Sequence, residues 1–353
     1  MAKLSTGLLV LVCVVGCLTG CQPPIQADIS PDGKTVALTE NGRLILRDAS
    51  GKQVDRVISL EGAQSPVFSP DGKWIAVSQP KRALLIERSS GRLVKLPLVS
   101  PPFAWKPDSS ELAGCRGSKA TVIHIPSLSV VRAYQLPEEP KYAVWVGNGR
   151  DLAFASAHKI ISIQHGDLSS KSVEGNVCVF GVDRSRQSVL WAETRSTTLP
   201  NNVPDAQILI KECPMDLIGT PTVFGNATVA EALGAEGRFT WPTSLSVSPD
   251  GSRIAFVGVV DASQPGLMSR YAELGGFNQG SVSKSLRSRL REMEKQMRFE
   301  SVCTTLSLRG TAIRPTKLIT RSAFNLYSAS TWSEDGQTLA VVLDNEVLTR
   351  KVP

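Results

Sequence analysis

The sequence is poor in the residues from which most enzymes and metal sites are built. Its 353 residues include three histidines, His124, His158 and His165. None of them pairs with another at metal-ligand spacing on a helix. His124 alternates with Ile123 and Ile125, as on a strand, and His158 and His165 fall in turn-like stretches. The chain lacks both a Gly-x-Ser-x-Gly elbow and a phosphate-cradling glycine loop. Of seven cysteines, Cys115, Cys178, Cys213 and Cys303 lie in the body of the chain. They show no paired-ligand spacing, and read as isolated strand thiols as readily as disulfide partners. No block of like charge occurs, because the net +7 is spread along the chain. These absences argue against a catalytic histidine, a metal centre and a cofactor, so the chain reads as a non-enzyme.

What the chain has is a repeated turn. Ser69-Pro70-Asp71-Gly72 recurs as Ser30-Pro31-Asp32-Gly33 and Ser248-Pro249-Asp250-Gly251. Degenerate copies stand at Lys106-Pro107-Asp108-Ser109 and Ser333-Glu334-Asp335-Gly336. Proline presets φ, aspartate bonds the backbone ahead of it, and glycine takes a positive φ, so each copy predicts a tight hairpin turn. The glycine slots, Gly33, Gly72, Ser109, Gly149, Arg186, Gly251 and Gly336, are separated by 39, 37, 40, 37, 65 and 85 residues. The acids Asp32, Asp71, Asp108, Asp250 and Asp335 are thus too far apart in sequence to gather the six to eight oxygens of a calcium site, and each is read as serving its own turn.

Apolar runs flank each turn, such as Ile75-Ala76-Val77, Leu84-Leu85-Ile86 and Leu93-Val94-Lys95-Leu96 after Gly72. Four short strands in about forty residues are the mark of a propeller blade. The expected fold is all-β, a seven-bladed β-propeller. The long steps read as insertions, at 226–240 after blade 5 and at 260–300 within blade 6, between its second and third strands. The last blade ends near Val347-Leu348 without a visible fourth strand. Gln22–Gln26 is a poor substitute, since Pro23 and Pro24 cannot donate to a ladder.

Ser-Pro-Asp-Gly followed by Ile-Ala resembles the repeat of TolB-type periplasmic β-propellers, which is itself similar to the WD repeat. The resemblance covers nearly the whole chain after residue 26, with three close copies and two partial ones. It implies the fold. It leaves function open, because such propellers serve as binding platforms and as enzyme accessory domains. The separate N-terminal α/β domain of TolB itself has no counterpart in this sequence.

The N-terminus reads as an address. Lys3, an apolar run from Leu8 to Val15 and Leu18-Thr19-Gly20-Cys21 make a short secretory signal that ends in a cysteine. This resembles the lipobox of bacterial lipoproteins. The resemblance implies acylation of Cys21, cleavage before it, and, with Gln22 rather than aspartate next, sorting to the outer membrane, facing the periplasm or the surface. The expected organisation is a signal peptide at 1–20, a lipidated tether at 21–26 and the propeller at 27–353.

One stretch departs from the β pattern. Val282, Leu286, Leu290, Met293 and Met297 recur at helical spacing, and Lys284, Arg287, Arg291, Lys295 and Arg298 form a second stripe opposite them. An amphipathic helix over 281–299 is expected, inserted in blade 6. Glycines in the preceding 274–280 would let it swing. Its basic face is either simply solvated or a contact for an acidic protein or an anionic membrane surface. The first functional expectation is a lipid-anchored scaffold that binds another envelope protein and no nucleic acid. The alternatives are a hydrolase or lyase with its site in the central channel, and a structural subunit of an envelope complex.

Overall fold

The computed structural model describes residues 26–352 apart from 41, 51–53, 98–99, 147–148, 184–185, 199–203, 237, 275–283, 309–314, 322–327 and 344–345. Seven antiparallel sheets follow one another along the chain. Blade 1 is β1 (Gln26–Ile29), β2 (Thr35–Glu40), β3 (Arg43–Asp48) and β4 (Val54–Ser59). Blade 2 is β5 (Gln64–Phe68), β6 (Trp74–Gln79), β7 (Arg82–Glu87) and β8 (Leu93–Leu96). Blade 3 is β9 (Ser100–Trp105), β10 (Glu111–Arg116), β11 (Lys119–His124) and β12 (Ser129–Gln135). Blade 4 is β13 (Tyr142–Val146), β14 (Asp151–Ala155), β15 (Lys159–Gln164) and β16 (Asp167–Ser172). Blade 5 is β17 (Asn176–Asp183), β18 (Ser188–Thr198), β19 (Pro204–Pro214) and β20 (Thr222–Thr228). A short helix α1 (Val229–Ala232) leads to blade 6, β21 (Thr240–Val247), β22 (Arg253–Asp261), β23 (Phe299–Ser307) and β24 (Pro315–Arg321). Between β22 and β23 stand α2 (Leu267–Glu273) and α3 (Lys284–Gln296). Blade 7 is β25 (Ser328–Trp332), β26 (Thr338–Leu343) and β27 (Glu346–Lys351). The seven-bladed propeller with a helical insertion in blade 6 is therefore the observed fold.

The repeated turn explains the blades. Ser69 Oγ accepts from Trp74 N at 2.9 Å and donates to Asp71 Oδ1 at 2.7 Å, while Asp71 Oδ1 accepts from Lys73 N at 3.1 Å. The same three bonds form at Ser30, Ser248 and Ser333. Gly72 and Gly251 take φ of +69° and +70°, as the turn chemistry predicts. In blade 5 the left-handed residue is Gln187, at φ +51°, one position beyond the Arg186 slot that spacing assigns.

The first strand of each sheet is the innermost, and neighbouring blades meet through these strands and through one apolar cluster per interface. Leu44, Ile75 and Leu84 fill the gap between blades 1 and 2, and Val122, Leu152 and Phe154 that between blades 3 and 4. Burying each such side chain contributes about 1.5–3 kcal/mol. Tryptophan N–H groups stitch the same interfaces. Trp105 donates to Val67 O at 3.2 Å, Trp145 to Ala104 O at 3.0 Å and Trp332 to Ser246 O at 3.3 Å, each reaching the preceding blade.

Among the described residues, no strand is shared between the ends of the ring. Gln26 begins the innermost strand of blade 1, one residue earlier than the expected propeller boundary, and blade 7 has three strands among the described residues. Closure is by packing of Ile29, Val36 and Leu38 on Ala340, Val342 and Val347. Thr331 Oγ1 to Asp28 Oδ1 at 2.8 Å and Thr349 Oγ1 to Ala49 O at 2.8 Å complete it.

Candidate interaction surface

Strand order assigns every turn to one of two rims. Because consecutive strands are antiparallel, each turn from first to second strand lies on one rim and each turn from second to third on the other. The repeated motif therefore rings the first rim. There each turn also touches its neighbour: Asp71 N donates to Ser109 Oγ at 3.0 Å, and a Cβ on Gly251 would fall 2.6 Å from Val182 O. Four cations on this rim are paired. Lys73 meets Asp71 and Lys106 meets Asp108 at 3.4 Å, Arg186 meets Asp183 at 3.6 Å, and Arg88 meets Asp32 at 3.8 Å. The Ser333 hydroxyl and the Gln337 N–H hold the Asp335 carboxyl below its usual range, so the motif acid stays ionised.

The opposite rim is where β1 begins and where α1, α2 and α3 are mounted. The paired strands β18 and β19, of 11 residues each, run toward the same rim. The inserted helices form their own small core, in which Met268, Tyr271, Leu290 and Met293 pack on Phe239 and Val259. Tyr271 Oη donates to Glu294 Oε1 at 2.7 Å. At the neck, Arg298 N donates to Ser263 Oγ and Ala262 N to Arg298 O, both at 2.8 Å. The expected helix is thus present, though shorter than 281–299. It is held by its apolar face rather than free to swing. The glycines at 275, 276 and 280, and Val282, lie outside the described residues. The second helix, α2, was not expected from the pattern.

Of the predicted contact residues, Arg287, Arg291, Lys295 and Arg298 are exposed. Lys284 opens α3, but its side chain lies outside the described residues, as does Cys21. Lys295 Nζ is 2.6 Å from Glu292 Oε1. Arg298 lies past the helix end, where its guanidinium donates to Lys295 O at 3.0 Å and Met297 O at 2.9 Å. It therefore caps the helix as well as extending the stripe. Arg289 is exposed on the flank of the same helix and was missed because it lies off the stripe.

The groups tested for catalysis are not brought together. His124 Nδ1 sits 2.9 Å from Ser127 Oγ in blade 3, while His158 and His165 occupy turns of blade 4. Burial pushes the thiols of Cys115, Cys178 and Cys303 up to about 12, and all four described cysteines are free. Among the described residues, no three His, Cys, Asp or Glu side chains are grouped to hold a metal. Asp28, on the innermost strand of blade 1, is a different case. Burial raises its pKa to about 6, although its carboxylate accepts from Phe68 N at 2.7 Å and from Thr331. It bridges blades 7, 1 and 2. Blade 5 also buries Glu193, which accepts from Trp191 Nε1 at 2.8 Å and Lys211 Nζ at 2.9 Å.

No family model and no curated protein matches the sequence. Solved structures do match in shape. A chain of Kuenenia stuttgartiensis hydrazine synthase is 12% identical with a TM-score of 0.61, covering 94% of this chain and 95% of that one. The β-propeller domain of Myceliophteria thermophila Cps50 (Swd1) is 12% identical with a TM-score of 0.57, covering 93% and 96%. The RRP9 WD40 repeats are 11% identical with a TM-score of 0.59, covering 92% and 89%. At this identity the likeness shows the fold alone: the chain is a seven-bladed β-propeller with WD40-like neighbours.

Proposed function

We propose that this chain is a lipid-anchored interaction platform of the bacterial cell envelope. Cys21 carries the lipid, residues 22–25 tether it, and the propeller presents a contact rim on which the basic face of α3 is the contact element. The observation that carries the reading is the mounting of α3. The middle of its apolar stripe is buried, with Leu290 at 0% and Met293 at 8% exposure, while Arg287, Arg291 and Lys295 are exposed. A fold that needed α3 only for packing would not require an exposed run of cations. The closed ring offers loops on two rims with only short strand edges, which suits docking. An enzyme is the lesser reading: hydrazine synthase shares the fold, but the contact of His124 with Ser127 is an exposed one between residues three apart at the β11–β12 turn.

The reading is tested by fractionating cells that express the wild type or Cys21→Ser, followed by crosslinking of intact envelopes. The wild type is expected in membranes with a defined crosslinked protein. The Cys21→Ser protein is expected in the soluble or precursor fraction without it. A wild type that is soluble, or crosslinks that persist unchanged in Cys21→Ser, would contradict the platform.

A further inference from the structure

We infer that the rim bearing α3 faces the membrane, and that the α3 stripe rests on its anionic headgroups. This rests on the lipid-anchored reading above and names what the contact element touches. Three observations converge on it.

The first is where the tether joins the ring. The innermost strand β1 begins at Gln26 on the rim that carries α2 and α3, and it ends at Ile29 beside the motif rim. An extended chain from Cys21 to Gln26 spans about 17 Å at ~3.4 Å per residue. A lipid at Cys21 therefore holds this rim, and not the motif rim, close to the bilayer.

The second is charge. Arg287, Arg291, Lys295 and Arg298 are exposed on α3, and Glu294 is turned onto Tyr271, which leaves Glu292 as the acid beside the stripe. The second-to-third-strand turns of blades 2 and 3 add exposed Lys81, Arg82, Arg116 and Lys119 to the same rim. Glu61, Glu139, Glu174, Glu231, Glu236 and Glu346 are exposed acids there, with Glu273 on α2. Ion pairs occur on both rims, at Asp71, Asp108, Asp183 and Asp32 on the motif rim and as Lys159–Glu138, Arg195–Glu174, Lys295–Glu292 and Arg321–Glu346 on the α3 rim, so it is the exposed basic stripe itself, not a lack of pairing, that marks the α3 rim.

The third is the mode of contact. A helix that inserts in a bilayer must offer its apolar face. Here Leu290 and Met293 of that face are covered by Met268, Tyr271, Phe239 and Val259. What remains is a peripheral electrostatic contact, the kind that supplements a lipid anchor and falls off within a Debye length.

The test uses the mature chain with Cys21→Ser, so that no lipid contributes. Co-flotation is measured with phosphatidylcholine vesicles, with and without phosphatidylglycerol, at low and at physiological salt. The expected result is binding that requires phosphatidylglycerol and weakens with salt. Arg287→Glu/Arg291→Glu should lower it by at least about tenfold. Lys34→Glu/Lys73→Glu makes the same charge change on the motif rim and should leave it nearly intact. Equal loss in both variants, no loss in the helix variant, or equal binding to neutral vesicles would overturn the inference. So would absence of vesicle binding together with binding to a labelled oligo-glutamate peptide, which would give the stripe to an acidic protein instead. None of these results bears on lipidation, which the fractionation of the wild type decides separately.

Discussion

Replacing Gly251 by alanine should destabilise the ring far more than the same change at Gly72, although the two residues hold equivalent places in the motif. Both lie at positive φ, +70° and +69°, where a Cβ costs about 1 kcal/mol. At Gly72 that is nearly the whole cost. The added Cβ would stand 3.6 Å from Pro31 Cδ and from the Arg88 guanidinium, which is ordinary contact. At Gly251 it would lie 2.6 Å from Val182 O and 2.7 Å from Asp183 Cα. Both atoms are backbone of the blade 5 turn, so a side-chain rotation cannot relieve the clash. The turn must move, and Asp183 is 4% exposed within it. Overpacking of this kind adds about 1–3 kcal/mol. The expected loss is therefore about 1 kcal/mol for Gly72→Ala and about 2–4 kcal/mol for Gly251→Ala. Equilibrium urea unfolding of the three proteins at one pH measures it. Equal midpoints for the two variants would refute the idea that the motif turns of neighbouring blades bear on each other.

Two further predictions concern the inner strands. Asp28 has a folded pKa of about 6 against an ordinary 3.8, so the folded state keeps a proton that the unfolded chain has released between those values. Its contribution to stability is full below pH 3.8 and is lost as pH rises through about 6, by about 3 kcal/mol in all. In Asp28→Asn the side-chain oxygen can still accept from Phe68 N and the amide can donate to Thr331, so the stability of this variant relative to the wild type should rise between pH 4 and pH 7. A difference that does not change with pH would contradict the burial of this carboxyl. Trp145→Phe removes the donor to Ala104 O in a buried interface and should cost about 1–3 kcal/mol in the same unfolding assay. A loss below about 0.5 kcal/mol would mean that the bond does not hold blades 3 and 4 together.

The blades were legible because their information is local. A serine, an aspartate and a glycine within four residues specify the turn, and the flanking runs alternate with period two. The α3 stripe was legible for the same reason, since Leu286, Leu290, Met293 and Met297 need only helical spacing. Contacts between repeats were not legible in this way. Asp28 meets Phe68 and Thr331, and Trp145 meets Ala104, across gaps of tens to hundreds of residues that no single turn or helix spans. A signal existed nonetheless. Aligning the repeats places Phe68, Trp105, Trp145 and Trp332 in one slot just before the turn, which marks a position that faces the preceding blade. The short helix α2 escaped because its apolar residues, Leu267, Met268 and Tyr271, cover barely two turns. The rim on which α3 stands follows only from counting antiparallel strands, and the paired or unpaired state of a charge needs coordinates.

Anchorage at Cys21 is the claim on which the envelope reading turns, and the mass of the N-terminal peptide from detergent-extracted membranes tests it most directly. The account predicts a peptide that begins at Cys21 and carries acyl mass on that residue. A mature chain that begins elsewhere, or a Cys21 without lipid, would contradict it.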